Sequence, residues 1–256
     1  MLNLFDAFIL GIVEGITEFL PVSSTAHLIL ATDFLGLENS DFIKSFEIII
    51  QFGAILAVVF LYWRSFLDKE ILKKLAVAFI PTGVLGLIFY KIVKTYLLGN
   101  IAVVLWSLAL GGLFLIIFEK YFAKKEVGRE MEFKSISYRQ CLALGVFQSV
   151  AMVPGVSRSA STIIGGLLLG ISRKTIVEFS FLLAVPTMLA AAGLDLFKNA
   201  GSFDSSQFQF LLVGFATSFV MAIVAIRWLL SYIKRNSFAG FGIYRIILAA
   251  LFLFFL

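Results

Sequence analysis

Charge is scarce in this sequence. Lys, Arg, Asp and Glu make up 14% of its 256 residues, where soluble domains carry about a quarter. With 61% hydrophobic residues and a mean hydropathy of +1.02, the chain cannot hide its apolar side chains in one water-soluble core. It reads as an integral membrane protein. The apolar runs are long, not short and alternating, which excludes a β-barrel. Cysteine occurs once, at Cys141, which excludes an internal disulfide and is silent on compartment. No basic n-region or A-x-A-like site opens the chain, so no cleavable signal peptide is expected. The net charge of +5 is no sign of a nucleic-acid partner, because most of the basic residues sit in short loops, where they set membrane orientation.

Apolar segments long enough to span occur at about 42–62, 72–92, 101–119, 176–197, 208–230 and 241–256. Two further segments are interrupted: 2–37 near Leu20-Pro21-Val22, and 138–171 near Pro154-Gly155. Proline cannot continue a helix and pushes its predecessor out of the α region. The two interruptions belong to a repeat. LGIVEGITEFLPVSS (10–24) aligns with LGVFQSVAMVPGVSR (144–158) after a one-residue shift, and FEIIIQFGAILAVV (46–59) aligns with FSFLLAVPTMLAAA (179–192). Each half therefore holds one broken segment followed by three spans.

If the broken segments are re-entrant hairpins, each half crosses the membrane an odd number of times and the halves face opposite ways, the inverted-repeat architecture. Loop charges favour this arrangement. One side then carries Arg64, Lys69, Lys73, Lys74, the cluster within 120–139, Arg173, Lys174, Arg227, Lys234 and Arg235, and the other only Lys44, Lys91, Lys94 and Lys198. The positive-inside rule makes the first side cytoplasmic, which leaves both termini outside. The expected fold is one integral membrane domain over 1–256, all-α and polytopic, with six transmembrane helices plus two re-entrant helical hairpins. Repeat one covers about 1–122, repeat two about 138–256, and a cytoplasmic loop about 120–138. The hairpin tips, inserted from opposite sides, are expected to meet mid-membrane.

The tips carry the polar residues. Glu14 and Glu18 share a helical face at i, i+4 spacing. Two carboxylates in lipid are expensive, and a divalent cation, whose preferred ligands are carboxylate oxygens, would relieve both. Pro21 ends one helix, and Ser23, Ser24 and Thr25 can cap the next. His27, the only histidine, lies three residues after Ser24, the minimum arrangement for a base-activated hydroxyl nucleophile. PGVSRSAST (154–162) follows its break with Ser157, Arg158, Ser159, Ser161 and Thr162. A helix starting there offers free N–H groups and its positive dipole end. Arg158 adds a planar fork matched to phosphate oxygens. Arg158 aligns with Ser24, whereas Gln148 takes the position of Glu14. One composite phosphate site is therefore implied, with acid and imidazole from one tip and guanidinium from the other. Glu47 and Gln51 can add polar contacts. Arg245 is expected to snorkel to the cytoplasmic end of its span.

At EGITEFLPVSSTAHL and PGVSRSAST the sequence resembles the undecaprenyl pyrophosphate phosphatase family of the bacitracin-resistance type. The resemblance covers essentially the whole chain, including EFSFLLAVP (178–186) and IYRII (243–247). It implies a bacterial inner-membrane enzyme that removes the terminal phosphate of undecaprenyl diphosphate, recycling the carrier lipid for peptidoglycan synthesis. It also implies dependence on Mg or Ca, a site open to the periplasm, and homodimers. By motif position Glu14 and Glu18 would serve the metal or general-base role, with Ser24 and His27 the nucleophile and its acid/base partner. Ser23, Thr25, Ser157, Arg158, Ser159 and Thr162 would hold the phosphates. The competing expectation from the residues alone is an inverted-repeat transporter or flippase for a polyprenyl phosphate, which would use many of the same groups.

Overall fold

A computed structural model describes residues 2–38, 40–97, 99–121, 131–199 and 207–255. Lys124, Lys125 and Arg129 of the expected cytoplasmic loop lie outside them. The described elements are all helical: α1 (Leu4–Thr17), α2 (Ser24–Phe34), α3 (Asp41–Leu61), α4 (Lys69–Ile92), α5 (Ile101–Tyr121), α6 (Tyr138–Ser149), α7 (Arg158–Leu168), α8 (Arg173–Asn199), α9 (Phe208–Tyr232) and α10 (Ala239–Phe255), with short 3-10 and π turns between them. Helices α3, α4, α5, α8 and α9 are long and apolar enough to cross a bilayer, and α10 is a shorter apolar helix. This is a multi-pass membrane protein, and its six long helices fall on the six apolar segments of the sequence.

The broken segments become two pairs of short helices. At a rise of about 1.5 Å per residue, α1 is about 21 Å long and α2, α6 and α7 are about 16–18 Å, against a hydrocarbon thickness of roughly 30 Å. Their ends are specified locally. Asn3 accepts from the Asp6 N–H at 2.9 Å while Asp6 accepts from the Asn3 N–H at 3.1 Å, a reciprocal cap that starts α1. Ser137 and Gln140 start α6 in the same way. Helices α2 and α7 each begin one residue after a serine with a left-handed backbone, Ser23 (φ 73°) and Ser157 (φ 75°). These are the only non-glycine described residues with positive φ, and they occupy matching positions in the aligned repeat.

Packing follows the same correspondence. Helix α1 lies against α9, as α6 lies against α4; α3 lies against α9, as α8 lies against α4; and α5 pairs with α10, its own counterpart. Small residues allow the close approach, as is common between helices in lipid. A Cβ on Gly112 would sit 2.6 Å from the Gly242 carbonyl oxygen, and one on Gly242 the same distance from that of Gly112. A Cβ on Gly145 of α6 would come within 2.1 Å of the Ala78 carbonyl oxygen on α4.

The main apolar cluster joins the α1 end (Phe19), α3 (Ala54, Val58), α7 (Ile163) and α8 (Phe179, Phe181, Leu182). Large apolar side chains elsewhere point outward, among them Phe60, Leu87, Trp106 and Leu251, as lipid-facing positions should. Polar ties gather at one end of the bundle. Glu119 at the end of α5 accepts from Arg173 of α8 at 2.7 and 3.1 Å and from the Phe238 N–H at 2.8 Å. Lys134 pairs with Asp68 at 2.8 Å, and this contact lowers the Asp68 pKa and raises that of Lys134.

Candidate active site

Glu18 follows directly on α1, Ser24 opens α2 and Arg158 opens α7, so three helix ends converge. One carboxylate joins them. Arg158 Nη2 donates to Glu18 Oε1 at 2.7 Å, and the Ser24 hydroxyl donates to Glu18 Oε2. Arg158 is held from behind. Its Nη1 donates to the Ser180 carbonyl at 2.8 Å, Nη2 approaches Met188 Sδ at 3.8 Å, and the guanidinium lies 5.7 Å from the centre of the Phe19 ring. Its Nε has no partner, which leaves one buried donor uncommitted.

These residues line a cavity of about 250 Å³ together with Ser23, Thr25, Gln51, Ser157 and Met188. The N-terminal ends of α2 and α7 both open at this cavity, so two positive dipole ends accompany the guanidinium, the second with its Ala160 N–H capped by Ser157 Oγ. The arrangement suits a phosphate or diphosphate group. One turn back on α1, Glu14 is fully buried and neither carboxylate oxygen has a hydrogen-bond partner. A further carboxyl group, that of Glu47 on α3, stands near it. A buried carboxylate without donors is costly unless something balances it.

Comparison with known proteins covers nearly the whole chain. The sequence pattern of the bacitracin resistance protein BacA family matches residues 7–251. The chain belongs to the BacA family. It is 52% identical over 247 residues to an undecaprenyl-diphosphatase of Sulfurihydrogenibium sp. (strain YO3AOP1), covering 96% of this chain and 97% of the relative. It is 50% identical to the undecaprenyl-diphosphatase of Aquifex aeolicus (strain VF5), covering 98% and 99%. The protein of that name in Wolinella succinogenes is also 50% identical, covering 100% and 99%.

Within this BacA-family chain, the structure brings Glu18, Ser23, Ser24, Thr25, Ser157 and Arg158 to the cavity and sets Glu14 just behind it. Other expected contacts are absent. Ser24 and His27 do not meet: His27 Nδ1 lies 2.7 Å from the Ser23 carbonyl oxygen and Nε2 lies 2.7 Å from the Tyr244 hydroxyl. Ser159 does not line the cavity and donates to the Phe19 carbonyl at 2.8 Å, tying one tip to the other. Thr162 is fully buried and donates to the Arg158 carbonyl at 3.0 Å.

The expectation that Arg245 snorkels to the water is overturned. Arg245 is fully buried. Its guanidinium donates to the carbonyls of Pro21 (3.4 Å), Gly155 (2.9 Å), Val156 (3.1 Å), Ser107 (3.0 Å) and Leu108 (3.3 Å). Both breaks leave backbone carbonyls without helical partners, and a buried cation with five donors satisfies them better than a helix end could. Tyr244, Ser180 and Met188 were not singled out in the sequence. A polar Tyr-Arg doublet inside the last apolar segment was the one available signal for the first.

Proposed function

We infer that this chain hydrolyses undecaprenyl diphosphate to undecaprenyl phosphate and inorganic phosphate, as an undecaprenyl-diphosphatase. The observation that carries the chemistry is the Arg158–Glu18–Ser24 chain spanning the two tips at one cavity. Full-length relatives at about half identity carry that name, and the transporter or flippase alternative finds no such support. The activity recycles a carrier lipid for cell-wall synthesis and accounts for the bacitracin resistance in the family's name.

The two broken segments are re-entrant, inserted from opposite faces into a bacterial inner membrane, and the halves about 1–122 and 138–256 form an inverted repeat. Support comes from the short helices, the matching left-handed serines, and the exchange of α1–α9 for α6–α4. The cavity and both termini then face the periplasm, the polyprenyl tail stays in lipid, and the protein works as a homodimer.

Ser24 attacks the terminal phosphorus. Its proton passes to Glu18, which already accepts it in a hydrogen bond, and the bridging oxygen leaves with undecaprenyl phosphate. Water then attacks the phosphoserine; the proton returns from Glu18 to Ser24, and phosphate departs as dihydrogen phosphate with both protons of the water, one of which it gives up to solvent. Arg158 and the helix ends stabilise the charge spread over the transferring phosphoryl group. Thr25, Ser23 and Ser157 orient the phosphate oxygens.

Glu14 and Glu18 fit a divalent cation, Mg or Ca, because Glu14 is buried with both oxygens unpaired. Among the described residues no cluster of three His, Cys, Asp or Glu side chains could hold a metal by itself. Magnesium commonly takes one or two carboxylates and completes its shell with substrate phosphates and water. When bound, it would neutralise the diphosphate charge.

The test is phosphate release by purified protein in detergent with magnesium and undecaprenyl diphosphate. Arg158→Ala is expected to lower turnover on the order of 10²-fold or more, as loss of a charge-stabilising donor does. Full release by that variant would place the phosphate elsewhere.

A further inference from the structure

His27 is the one histidine in the chain, and α10 holds it. A carbonyl oxygen can only accept, so in the neutral imidazole the 2.7 Å contact to Ser23 puts the ring proton on Nδ1 and leaves the lone pair on Nε2. The Tyr244 hydroxyl, 2.7 Å away, is then the donor to Nε2. The two rings lie nearly parallel, 10° apart, with centres 5.5 Å from each other. The Ser23 carbonyl also accepts the backbone N–H of His27 at 3.2 Å. Ser23 is left-handed (φ 73°), a conformation that persists at a non-glycine residue only where its surroundings enforce it. Immediately after Tyr244, Arg245 donates to the carbonyl of Pro21 on the same tip. Two successive residues of α10 thus grip the turn that delivers Ser23 and Ser24 to the cavity.

We propose that Tyr244 is a positioning residue for the phosphate site: through His27 it holds the left-handed Ser23 turn, and so the aim of the Ser24 hydroxyl at Glu18. In this role His27 works by its Nδ1–H on a backbone carbonyl. It does not collect the Ser24 proton, because its only lone pair is occupied by Tyr244. The proposal rests on the reading of Ser24 and Glu18 given above, so its test includes a readout independent of phosphate release.

Full-length protein labelled with ¹⁵N-histidine gives a single imidazole in the nitrogen NMR spectrum. For the wild type at neutral pH the expected spectrum is one protonated nitrogen, Nδ1, and one unprotonated, hydrogen-bonded nitrogen, Nε2. A protonated Nε2 in the wild type overturns the proposal without any variant. Tyr244→Phe keeps the ring and removes only the hydroxyl. It is expected to move the Nε2 resonance to that of a free lone pair, to lower kcat by about tenfold or more through misplacement of the reacting hydroxyl, and to leave KM within about twofold. Unchanged ring-nitrogen resonances, or an unchanged kcat, overturn it. A wild type that shows the expected spectrum but releases no phosphate would refute the phosphatase reading and leave the His27–Tyr244 hydrogen bond standing.

Discussion

Glu14 is the least comfortable residue in the molecule. Its carboxylate is fully buried, unpaired, and shares a helix face with Glu18. If that cost is borne for the proposed cation, removing the carboxylate should trade function for stability. Glu14→Gln retains the shape and removes the charge. The amide can donate to Glu18 where a second carboxylate repels it, so the metal-free protein is expected to gain roughly 1–3 kcal/mol, the usual worth of a hydrogen bond to a charged group, read as a higher thermal midpoint in detergent. Activity should fall, and the magnesium concentration for half-maximal rate should rise. Arg245 behaves in the opposite way, since it is buried but fully partnered. Arg245→Met strands the carbonyls of both tips and is expected to lower stability by about 3 kcal/mol or more, as breaking a buried charged network does. The same thermal melt reads both changes, with opposite signs.

At the level of helices, the two breaks depend on how closely their neighbours approach. Gly145 lets α6 lie on α4 with no room for a Cβ against the Ala78 carbonyl. Gly145→Val must push the two helices apart, at about 1–3 kcal/mol for overpacking, and the thermal midpoint should drop while Gly99→Ala, at a turn with open space around it, mainly tests backbone strain at its positive φ. Much of this layer was legible in advance. Pro21 and Pro154 marked the breaks, the apolar runs marked six helices, and the repeat alignment put Arg158 opposite Ser24 closely enough to anticipate that they share a site. The internal wiring of that site was not legible. The spacing of Ser24 and His27 suggested a pair, but the left-handed Ser23 turns Ser24 toward Glu18, and His27 bends back onto the carbonyl four residues before it. Tertiary contacts from α10 accompany that turn, and i, i+3 spacing carries no trace of them. Arg245 was misread for the same reason. Its distance from a helix end is a one-dimensional quantity, whereas the carbonyls that hold it come from three separate stretches of chain.

Among the described residues many large apolar side chains are exposed, and the ion pairs Lys134–Asp68 and Arg173–Glu119 both stand near the ends of long helices. Helix α3 runs from Asp41 to Leu61 and α4 follows after a short turn, so residues near 38 and near 66 lie at opposite faces if α3 crosses the bilayer. The inverted-repeat reading extends this: residues 38 and 100 face the periplasm, while 66, 134 and 235 face the cytoplasm. A parallel repeat of through-spans would move 235 to the side opposite 134. The single native cysteine makes this easy to decide, because Cys141 is buried and Cys141→Ser leaves a blank background. Cysteines placed one at a time at Glu38, Asn100, Lys134 and Arg235 should divide into two classes with a membrane-impermeant thiol reagent on intact cells. The expected result is labelling of Glu38→Cys and Asn100→Cys from outside, and of Lys134→Cys and Arg235→Cys only after lysis. Labelling of Arg235→Cys from outside, with Lys134→Cys protected, would make the two halves parallel and leave the meeting of their tips without its symmetry.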